Sequence, residues 1–399
     1  MNNNIQKLHQ IANKQEKIIL GLMSGTSLDG LDIALCKVAE NGLNTTIQLT
    51  NFKTIEYDID FKKDVKSIFC REKVGLEKLC LLNAHIGLVH SQIINKTLAN
   101  WNIKNSDVDL IASHGQTIYH SPKSKHQQQK FGNATLQIGD ADHIAFNTNI
   151  ITISDFRQKH IATGGEGAPL AIYGDYFLLS SKAENRVLVN IGGIANFTYL
   201  PSSLNVNEVI CSDVGAGNTL MDTYIQHHFS NKFYDENAAI ALQGKVNDGL
   251  LKALCNHEFF KQPFPKTTGQ EIFNFKFIEN ALVSLNTMHI SIYDVMATLN
   301  FFTAYKIVAA IKQNIQHTNF TIYISGGGVN NPLLIKNIQE QLPNTIIQST
   351  DILGVNPNAK EAILFAVLAN ECVCGNSSFY HQTNKNFPAI TMGKISFPK

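Results

Sequence analysis

A short segment near the N-terminus combines two glycines, two hydroxyl side chains and two carboxylates, groups that can hold a phosphate and a metal ion. Its residues are Gly25, Thr26, Ser27, Leu28, Asp29, Gly30, Leu31 and Asp32. Backbone amides and hydroxyls of such a turn bind anions, and an aspartate can hold a cation that bridges phosphates. An ordinary polar hairpin turn has the same composition, so the segment alone leaves both interpretations open.

Further glycine-containing segments follow apolar stretches and are candidates for close contact with a ligand. They contain Gly192 and Gly193, then Gly215, Gly217 and Asn218, then Gly326, Gly327 and Gly328. Glycine lets a backbone approach a ligand, although it also permits bends that packing requires. The Walker sequence Gly-Lys-Ser/Thr and a dinucleotide-binding G-x-G-x-x-G after a strand are both absent. A nucleotide site in this chain is therefore of another kind.

Polar and charged side chains stand near the ends of several apolar stretches. These side chains are His114, Gln116, Asp155, Arg157, Asp213 and Glu361. From its position before two glycines, Asp213 could be a general base or a loop residue bonded to nearby amides. His114 could equally be held by local backbone, and Asp155 could pair with Arg157 on the surface. Glu361 near a helix start also stabilises the helix dipole.

Alternating strands and helices are predicted to position these side chains. Residues 17–24 and 31–38 read as a hairpin around the first glycine turn, and apolar spacing predicts a helix over 76–99. Short strands are predicted at 108–113, 150–154, 187–191, 194–200, 209–212 and 321–325, with a helix from about Thr219. Long helices are predicted over 291–316 and 357–374. The alternation indicates an α/β protein.

Composition narrows the class of protein. The chain has 399 residues, 33 basic against 32 acidic, and a formal net charge of +1. With no dense basic cluster, a nucleic-acid partner is not expected. No apolar run is long enough for a membrane span, and the N-terminus lacks the apolar core of a signal peptide. Of the seven cysteines only Cys372 and Cys374 lie close together, and without a second pair they are poor evidence for zinc, so reduced thiols in the cytoplasm are predicted.

The loop sequences resemble the anhydro-N-acetylmuramic acid kinase family. The similarity begins in GLMSGTSLDGLDIAL and continues in order through SHGQTIYH, TLQIGD, SDFRQKHIATGGEGAPL, VLVNIGGIANFT, SDVGAGNTLMD, ISGGGVNNP and NPNAKEAILFAVLAN. It spans about Leu20 to Asn370. SGTSLDG and GGxGAPL are specific to this family, whereas the Gly-Gly turns fit any relative of the sugar kinases, actin and heat-shock ATPases. Ala216 departs from the proline usual in the family.

The resemblance implies two ribonuclease-H-like lobes around a nucleotide cleft, the fold of actin-like ATPases and sugar kinases. We expect an N-terminal extension over 1–16, an N-terminal lobe over 17–150 and a C-terminal lobe over 151–375. The tail, 376–399, is expected to return to the N-terminal lobe. The extension has no assigned role, and disorder or a species-specific tail is the default expectation for it.

The resemblance also implies the activity. The family uses ATP and Mg²⁺ to open the internal ring of 1,6-anhydro-N-acetylmuramic acid and to phosphorylate its 6-oxygen, in the recycling of bacterial peptidoglycan. Asp213 matches the family's catalytic aspartate, and the glycine segments match its nucleotide-binding loops. His114, Gln116, Asp155, Arg157 and Glu361 match substrate-binding positions, and either Asp29 or Asp32 orients magnesium. The family's members are typically homodimers.

Three alternatives remain at this point. A kinase for another amino sugar would use Asp213 directly on a free hydroxyl. A non-catalytic, nucleotide-regulated binding protein of the same fold would bind ATP without substrate-dependent turnover. A glycosidase fits less well because it normally needs two carboxylates flanking one bond, and it would leave the glycine loops without a role.

Overall fold

The chain folds into two compact units. The structure, a computed structural model, describes residues 2–285, 290–375 and 388–399. Unit 1 comprises Met1–Leu179 and Asn358–Lys399, and unit 2 comprises Ser180–Pro357. Each unit is built on one mixed sheet. Strands and helices are numbered below along the whole chain.

Unit 1 contains a sheet in the order β12-β6-β4-β1-β2-β3, with β5 paired to β4. Its strands are β1 (Glu16–Ser24), β2 (Gly30–Ala39), β3 (Thr46–Glu56), β4 (Leu110–Ser121), β5 (Ala134–Ile138), β6 (Ile151–Ser154) and β12 (Lys394–Ser396). Its helices are α1 (Asn3–Ala12), α2 (Ile59–Lys66), α3 (Leu76–Asn100), α4 (Lys123–His126), α5 (Ala141–Thr148), α6 (Phe156–Ala162), α7 (Ala171–Leu179) and α13 (Lys360–Cys374).

Strand β1 lies in the middle of this sheet, which explains its nearly continuous apolar sequence. Ile19, Leu20 and Leu22 are almost completely buried, as expected for a strand covered on both faces. Helix α13 packs on β1 and β2. At Gly21 an added Cβ atom would collide with the carbonyl of Ala362. Glycine at this position therefore lets the first turn of α13 lie directly against the strand that leads into the 25–30 turn.

Unit 2 contains a second sheet, with its strands in the order β11-β10-β7-β8-β9. Its strands are β7 (Arg186–Ile191), β8 (Ile194–Leu200), β9 (Ile210–Ala216), β10 (Thr321–Ser325) and β11 (Ile346–Ser349). Its helices are α8 (Thr219–His228), α9 (Asp248–Cys255), α10 (Phe275–Ser284), α11 (Ile292–Asn314) and α12 (Pro332–Gln341). Apolar residues of β7, β8, β10 and α11 form one core cluster, and residues of α8 to α11 form a second.

The two sheets share one topology. In unit 1, β1, β2 and β3 are antiparallel neighbours, and β4 and β6 follow in parallel to β1. In unit 2, β7, β8 and β9 are antiparallel neighbours, and β10 and β11 follow in parallel to β7. This order, three antiparallel strands and then two parallel ones, is that of a ribonuclease-H-like sheet. The predicted α/β fold with two such units is therefore confirmed.

The division of the chain differs from the predicted lobes. Residues 151–179 and 358–375 lie in unit 1, not with the C-terminal part. The reason is that β6 pairs with β4, and α13 packs on β1. In the tail, β12 pairs with β6 of the same sheet. Residues 376–387 of the predicted tail lie outside the described residues.

Three local predictions were wrong. The N-terminal extension, expected to be disordered, forms helix α1, capped by the side chain of Asn2. Pro357 does not occupy the first turn of the last long helix, because α13 begins at Lys360 after a turn that contains the proline. Asp213 lies within strand β9, although a loop was predicted there, because β9 continues to Ala216 across a bulge opposite β8.

One described helix, Ile292–Asn314, is long and apolar enough to cross a membrane by length and composition. However, 72% of its apolar window is buried inside the protein. The burial is typical of the core helix of a globular unit, so this helix is weak evidence for a membrane span.

Candidate functional site

The turn between β1 and β2 presents polar side chains around one buried anchor. Strand pairing closes at Ser24 opposite Leu31, which leaves residues 25–29 as the tip. Thr26, Ser27 and Asp29 are exposed, whereas Leu28 is 1% exposed and has a φ of 60°. A left-handed backbone at a non-glycine residue costs roughly 1–3 kcal/mol and persists only where packing enforces it. Burial of Leu28 thus holds the turn in the shape that exposes its hydroxyls.

A buried chain of hydrogen bonds supports this turn from beneath. The Tyr57 hydroxyl donates to Ser24 Oγ at 2.7 Å, and Ser24 Oγ donates to Gln116 Oε1 at 2.5 Å. Gln116 Nε2 in turn donates to the carbonyl of Gly25 at 3.3 Å. Because the Tyr57 proton is used on Ser24, His90 Nε2 must be the donor in its 2.9 Å contact with the Tyr57 oxygen.

Gln116, predicted to bind substrate, is fully buried within this chain. The backbone N–H of Tyr57 also donates to the carbonyl of Asp29 at 3.2 Å. Tyr57 therefore holds both ends of the 25–29 tip. The structure places Gln116 in support of the turn, with its polar atoms bonded to protein groups.

Two carboxylates lie close together on the same hairpin. Asp32 is half-buried and accepts a hydrogen bond from Thr54 Oγ1 at 2.5 Å. Desolvation raises its pKa, the Thr54 bond opposes this, and the negative charge of Asp29 raises the pKa further. Mutual repulsion of Asp29 and Asp32 is the electrostatic setting that a bound cation relieves.

Arg157, in the first turn of α6, is held in a fixed orientation. Its Nε donates to His114 Nε2 at 3.0 Å, and its Nη1 donates to the carbonyl of Gly167 at 2.7 Å. His114 is buried and bonds Gly115 O through Nδ1 at 2.9 Å. Since Nε2 accepts from Arg157, His114 is a neutral Nδ1–H tautomer. Desolvation, and then the charge of Arg157, keep its pKa well below the ordinary value.

Neither Asp155 nor Glu361 forms a close ion pair with Arg157. Asp155 pairs with Lys394, so the surface pair expected between Asp155 and Arg157 is not formed. Glu361 lies in the first turn of α13 and remains exposed to solvent. Partial loss of hydration raises the pKa of Glu361, and attraction to Arg157 lowers it. These interactions place His114, Arg157 and Glu361 in one electrostatic cluster of unit 1.

Asp213 in unit 2 is fixed by the segment 266–268. Its backbone N–H donates to the carbonyl of Lys266 at 3.0 Å, and Thr268 N donates to its Oδ2 at 2.8 Å. Burial raises the pKa of Asp213 to about 6, the Thr268 amide opposes this, and the charge of Glu271 adds to the increase. The carboxylate is thus largely ionised near neutral pH yet basic enough to accept a proton, the property of a general base.

The glycine segments of unit 2 interlock. Gly217 N donates to Gly193 O, and Asn218 N donates to Gly192 O, each at 2.8 Å. A Cβ atom at Gly217 would collide with the Gly192 carbonyl, so glycine is required there by packing. At Gly192 the nearest atoms to such a Cβ lie 3.7 Å away, which leaves room above the turn.

The third glycine segment lies on the neighbouring strand of the same sheet. Gly326 and Gly327 are exposed at the end of β10, and Gly328 packs on Ile191 at the end of β7. Strands β7 and β10 are parallel neighbours, so both turns lie at the same edge of the sheet. Ligands of open α/β sheets bind at this edge, and these turns are the groups of unit 2 that could hold a nucleotide.

Sequence reasoning missed the residues that support the site. Four supporting residues carry no motif and lie 28 or more residues from the groups that they support: Tyr57, His90, Lys266 and Thr268. Ser24 was detectable, since it directly precedes the glycine turn. The others could not have been found from spacing, because strand pairing and packing bring them to the site.

Comparison with known proteins identifies the chain's relatives. The family model for anhydro-N-acetylmuramic acid kinase matches residues 17–397. The anhydro-N-acetylmuramic acid kinase of Pseudoalteromonas atlantica is 53% identical over the whole of both chains. That of Clostridioides difficile is 39% identical over 90% of this chain and 92% of its own.

Among solved structures, an activator of 2-hydroxyisocaproyl-CoA dehydratase from Clostridium difficile covers 89% of this chain and 95% of its own. It is 14% identical, with a TM-score of 0.42. This structural similarity is low, so the assignment depends on the sequence matches. The family model covers nearly the full length of the chain. The relatives, with up to 53% identity, belong to the same family. The chain belongs to the anhydro-N-acetylmuramic acid kinase family.

Proposed function

We propose that this protein uses ATP to open 1,6-anhydro-N-acetylmuramic acid and to phosphorylate its 6-oxygen, with Asp213 as the base that activates water. The observation that carries the assignment is the family match over residues 17–397. The observation that supports the base is the half-buried Asp213, held by the Thr268 amide with a pKa raised to about 6. The products are N-acetylmuramic acid 6-phosphate and ADP.

The substrate dictates the need for a water-activating base. In the anhydro ring the 6-oxygen is bonded to C1 and carries no proton, so a base has nothing to remove from it. A water oxygen bonds to C1 while its proton passes to Asp213, and the bond between C1 and the 6-oxygen breaks. That oxygen attacks the γ-phosphorus, and ADP leaves. General bases of this kind contribute typically 10²- to 10⁴-fold to rate.

Thr268 offers a further group for the attacking water. Its amide orients Asp213, and within the described part of the chain its buried Oγ1 has no hydrogen-bond partner. A buried hydroxyl without a partner is costly, and a water bound between Thr268 and Asp213 would relieve that cost.

Each unit, taken by itself, offers glycine-rich turns that are proposed to bind the nucleotide. The exposed hydroxyls and amides of residues 25–30 would contact its phosphates, and the turns at 192–193, 215–218 and 326–328 would hold the rest. Mg²⁺ fits the paired charges of Asp29 and Asp32, whose repulsion is evident in the raised pKa of Asp32. When bound, the ion would neutralise charge on the transferring phosphoryl group.

The sugar is proposed to be recognised by charge. Arg157 has a donor nitrogen beyond the two already committed to His114 and Gly167, and it can neutralise the lactyl carboxylate. Glu361 would lie near the reacting end of the sugar. His114 and Gln116 act by supporting Arg157 and the hairpin, and Asp155 acts through its place at the start of α6.

The setting of the enzyme is proposed from the family resemblance and from composition. A role in peptidoglycan recycling and a homodimeric state are carried over from the resemblance, and the cysteine pattern supports a cytoplasmic location. The near-neutral net charge of +1 supports a small-molecule substrate in preference to nucleic acid.

The test is ADP release from ATP and Mg²⁺ with the anhydro sugar added or omitted. The wild type should release ADP only with the sugar, and Asp213→Asn should lower the rate about 10²- to 10⁴-fold. Asp248→Asn, an exposed carboxylate of the same unit, is the matched control and should keep the wild-type rate. An unaffected Asp213→Asn would reject Asp213 as the base and leave the kinase assignment intact.

Two alternatives give different outcomes in the same assay. A kinase for another amino sugar would release ADP with that sugar and not with the anhydro compound. A nucleotide-regulated binding protein would bind ATP and show no sugar-dependent release at all.

A further inference from the structure

Lys266 is a buried cation in unit 2 whose charge is compensated by aromatic rings and carbonyls. It is 8% exposed, and its Nζ lies 4.5 Å from the ring centre of Phe259 and 4.4 Å from that of Phe264. Nζ also donates to the carbonyl of Phe259 at 3.1 Å. Cations over aromatic faces are attracted by the ring quadrupole, most strongly when desolvated.

Burial of the Lys266 ammonium group costs desolvation free energy. Within residues 2–285, 290–375 and 388–399, no carboxylate lies within ion-pair distance of Lys266 Nζ. Burial, and then the charge of Lys306, lower its pKa. A methionine would fill the same space between the rings without any desolvation cost. The ammonium group therefore points to a role for the charge and its directed hydrogen bond.

The backbone of the same residue is bonded to strand β9. Lys266 N donates to Ser212 Oγ at 2.9 Å, and Lys266 O accepts from Asp213 N at 3.0 Å. Two residues later, Thr268 N donates to Asp213 Oδ2 at 2.8 Å. The segment 266–268 thus connects the caged ammonium directly to the carboxylate of Asp213.

We propose that Lys266 is a positioning residue for Asp213: its ammonium, held between Phe259 and Phe264, fixes the segment 266–268 so that the Thr268 amide orients the Asp213 carboxylate. The inference depends on the proposed function in so far as Asp213 is the base. It adds that the orientation of the Asp213 carboxylate depends on the contact of Lys266 with Phe259 and Phe264.

The groups around Asp213 decide whether its pKa rises or falls when the Thr268 amide is displaced. Burial raises the pKa of Asp213, the Thr268 amide lowers it and the charge of Glu271 raises it, which together give a pKa of about 6. If the amide is displaced, the remaining influences both favour the protonated form, so the pKa rises. Since only ionised Asp213 can accept a proton, activity is lost as the pH falls through this pKa, and the acid limb moves to higher pH.

The test compares Lys266→Met with Lys306→Met. Lys306 Nζ lies 3.9 Å from the ring of Phe260, a similar cation–aromatic contact without a hydrogen bond to residues 266–268. In the wild type, kcat/KM should decrease as the pH is lowered through about 6, because Asp213 becomes protonated. Lys266→Met should move this limb upward by about one pH unit while activity at pH 8 is largely kept. Lys306→Met should leave the limb unchanged.

A second readout does not require catalysis. The ¹³C resonance of the Asp213 carboxyl, assigned by its loss in Asp213→Asn, should titrate at higher pH in Lys266→Met than in the wild type. Should Lys266→Met not fold, Phe264→Leu weakens the cage and should shift the titration in the same direction. If the Asp213→Asn variant stays active, the proposed base fails, yet the carboxyl titration still tests the positioning.

An unchanged titration in a folded Lys266→Met protein would overturn the inference. An equal shift in Lys306→Met would also overturn it, since the effect would then reflect lost positive charge in general.

Discussion

At the residue scale, Arg157 is held by two partners in different directions. His114 Nε2 accepts from Nε, and Gly167 O accepts from Nη1. Only a guanidinium presents donors in this fixed fork, and a lysine ammonium cannot satisfy both partners and still contact a substrate carboxylate. Its neighbour His114 is held neutral, so the pair carries one positive charge near neutral pH.

Arg157→Lys should therefore weaken sugar binding although the charge is conserved. A hydrogen bond to a charged group is worth roughly 1.5–3 kcal/mol, so kcat/KM for the anhydro sugar should fall about 10- to 100-fold, mainly through KM. Steady-state kinetics at varied sugar concentration measure this. Arg71→Lys, the same substitution at an exposed position, is the control. A variant with wild-type KM would show that Arg157 does not contact the sugar.

At the element scale, the β1–β2 hairpin depends on Tyr57, which follows the end of β3. Tyr57→Phe should remove the hydrogen bond that Ser24 Oγ accepts and the acceptor of His90 Nε2, at a cost of about 1–3 kcal/mol in the free energy of unfolding. The loosened turn should also raise KM for ATP several-fold. Tyr173→Phe removes another buried hydroxyl of unit 1, which donates to Pro388 O at 2.7 Å.

The control separates stability from function. Tyr173→Phe should lower the melting temperature without raising KM for ATP. If both variants raise this KM equally, then the hairpin is sensitive to general loosening of unit 1, and the specific role of Tyr57 is wrong. Thermal unfolding and initial rates at varied ATP measure the two effects.

Elements with local signals were predictable from the sequence, and contacts between distant elements were not. The β1–β2 hairpin and helix α3 follow from their glycine turn and their apolar period. Helix α1 was missed because residues 1–16 are mostly polar, although Ile5, Leu8 and Ile11 recur at helical spacing after the N-cap residue Asn2. Asp213 was identified as a candidate through its family motif, whereas its support by Thr268 arises from a segment 55 residues later.

At the scale of the whole molecule, the same sheet occurs twice with different loops. Unit 1 carries hydroxyls and carboxylates on its β1–β2 hairpin and Arg157 at the start of α6, and unit 2 carries the glycine turns and Asp213. The alternation of strands and helices was visible in the sequence. The place of α13 in unit 1 was not, because it depends on packing against β1 and β2, which are far away in the chain.

The central claim is that ring opening and phosphorylation are one coupled reaction, and the mass of the product tests it most directly. The protein is incubated with ATP, Mg²⁺ and 1,6-anhydro-N-acetylmuramic acid, and the sugar products are measured by mass spectrometry. The account predicts a product heavier than the substrate by one phosphoryl group and one water, formed in equal amount to ADP. A product that gains the phosphoryl group alone, with its anhydro ring intact, would contradict it.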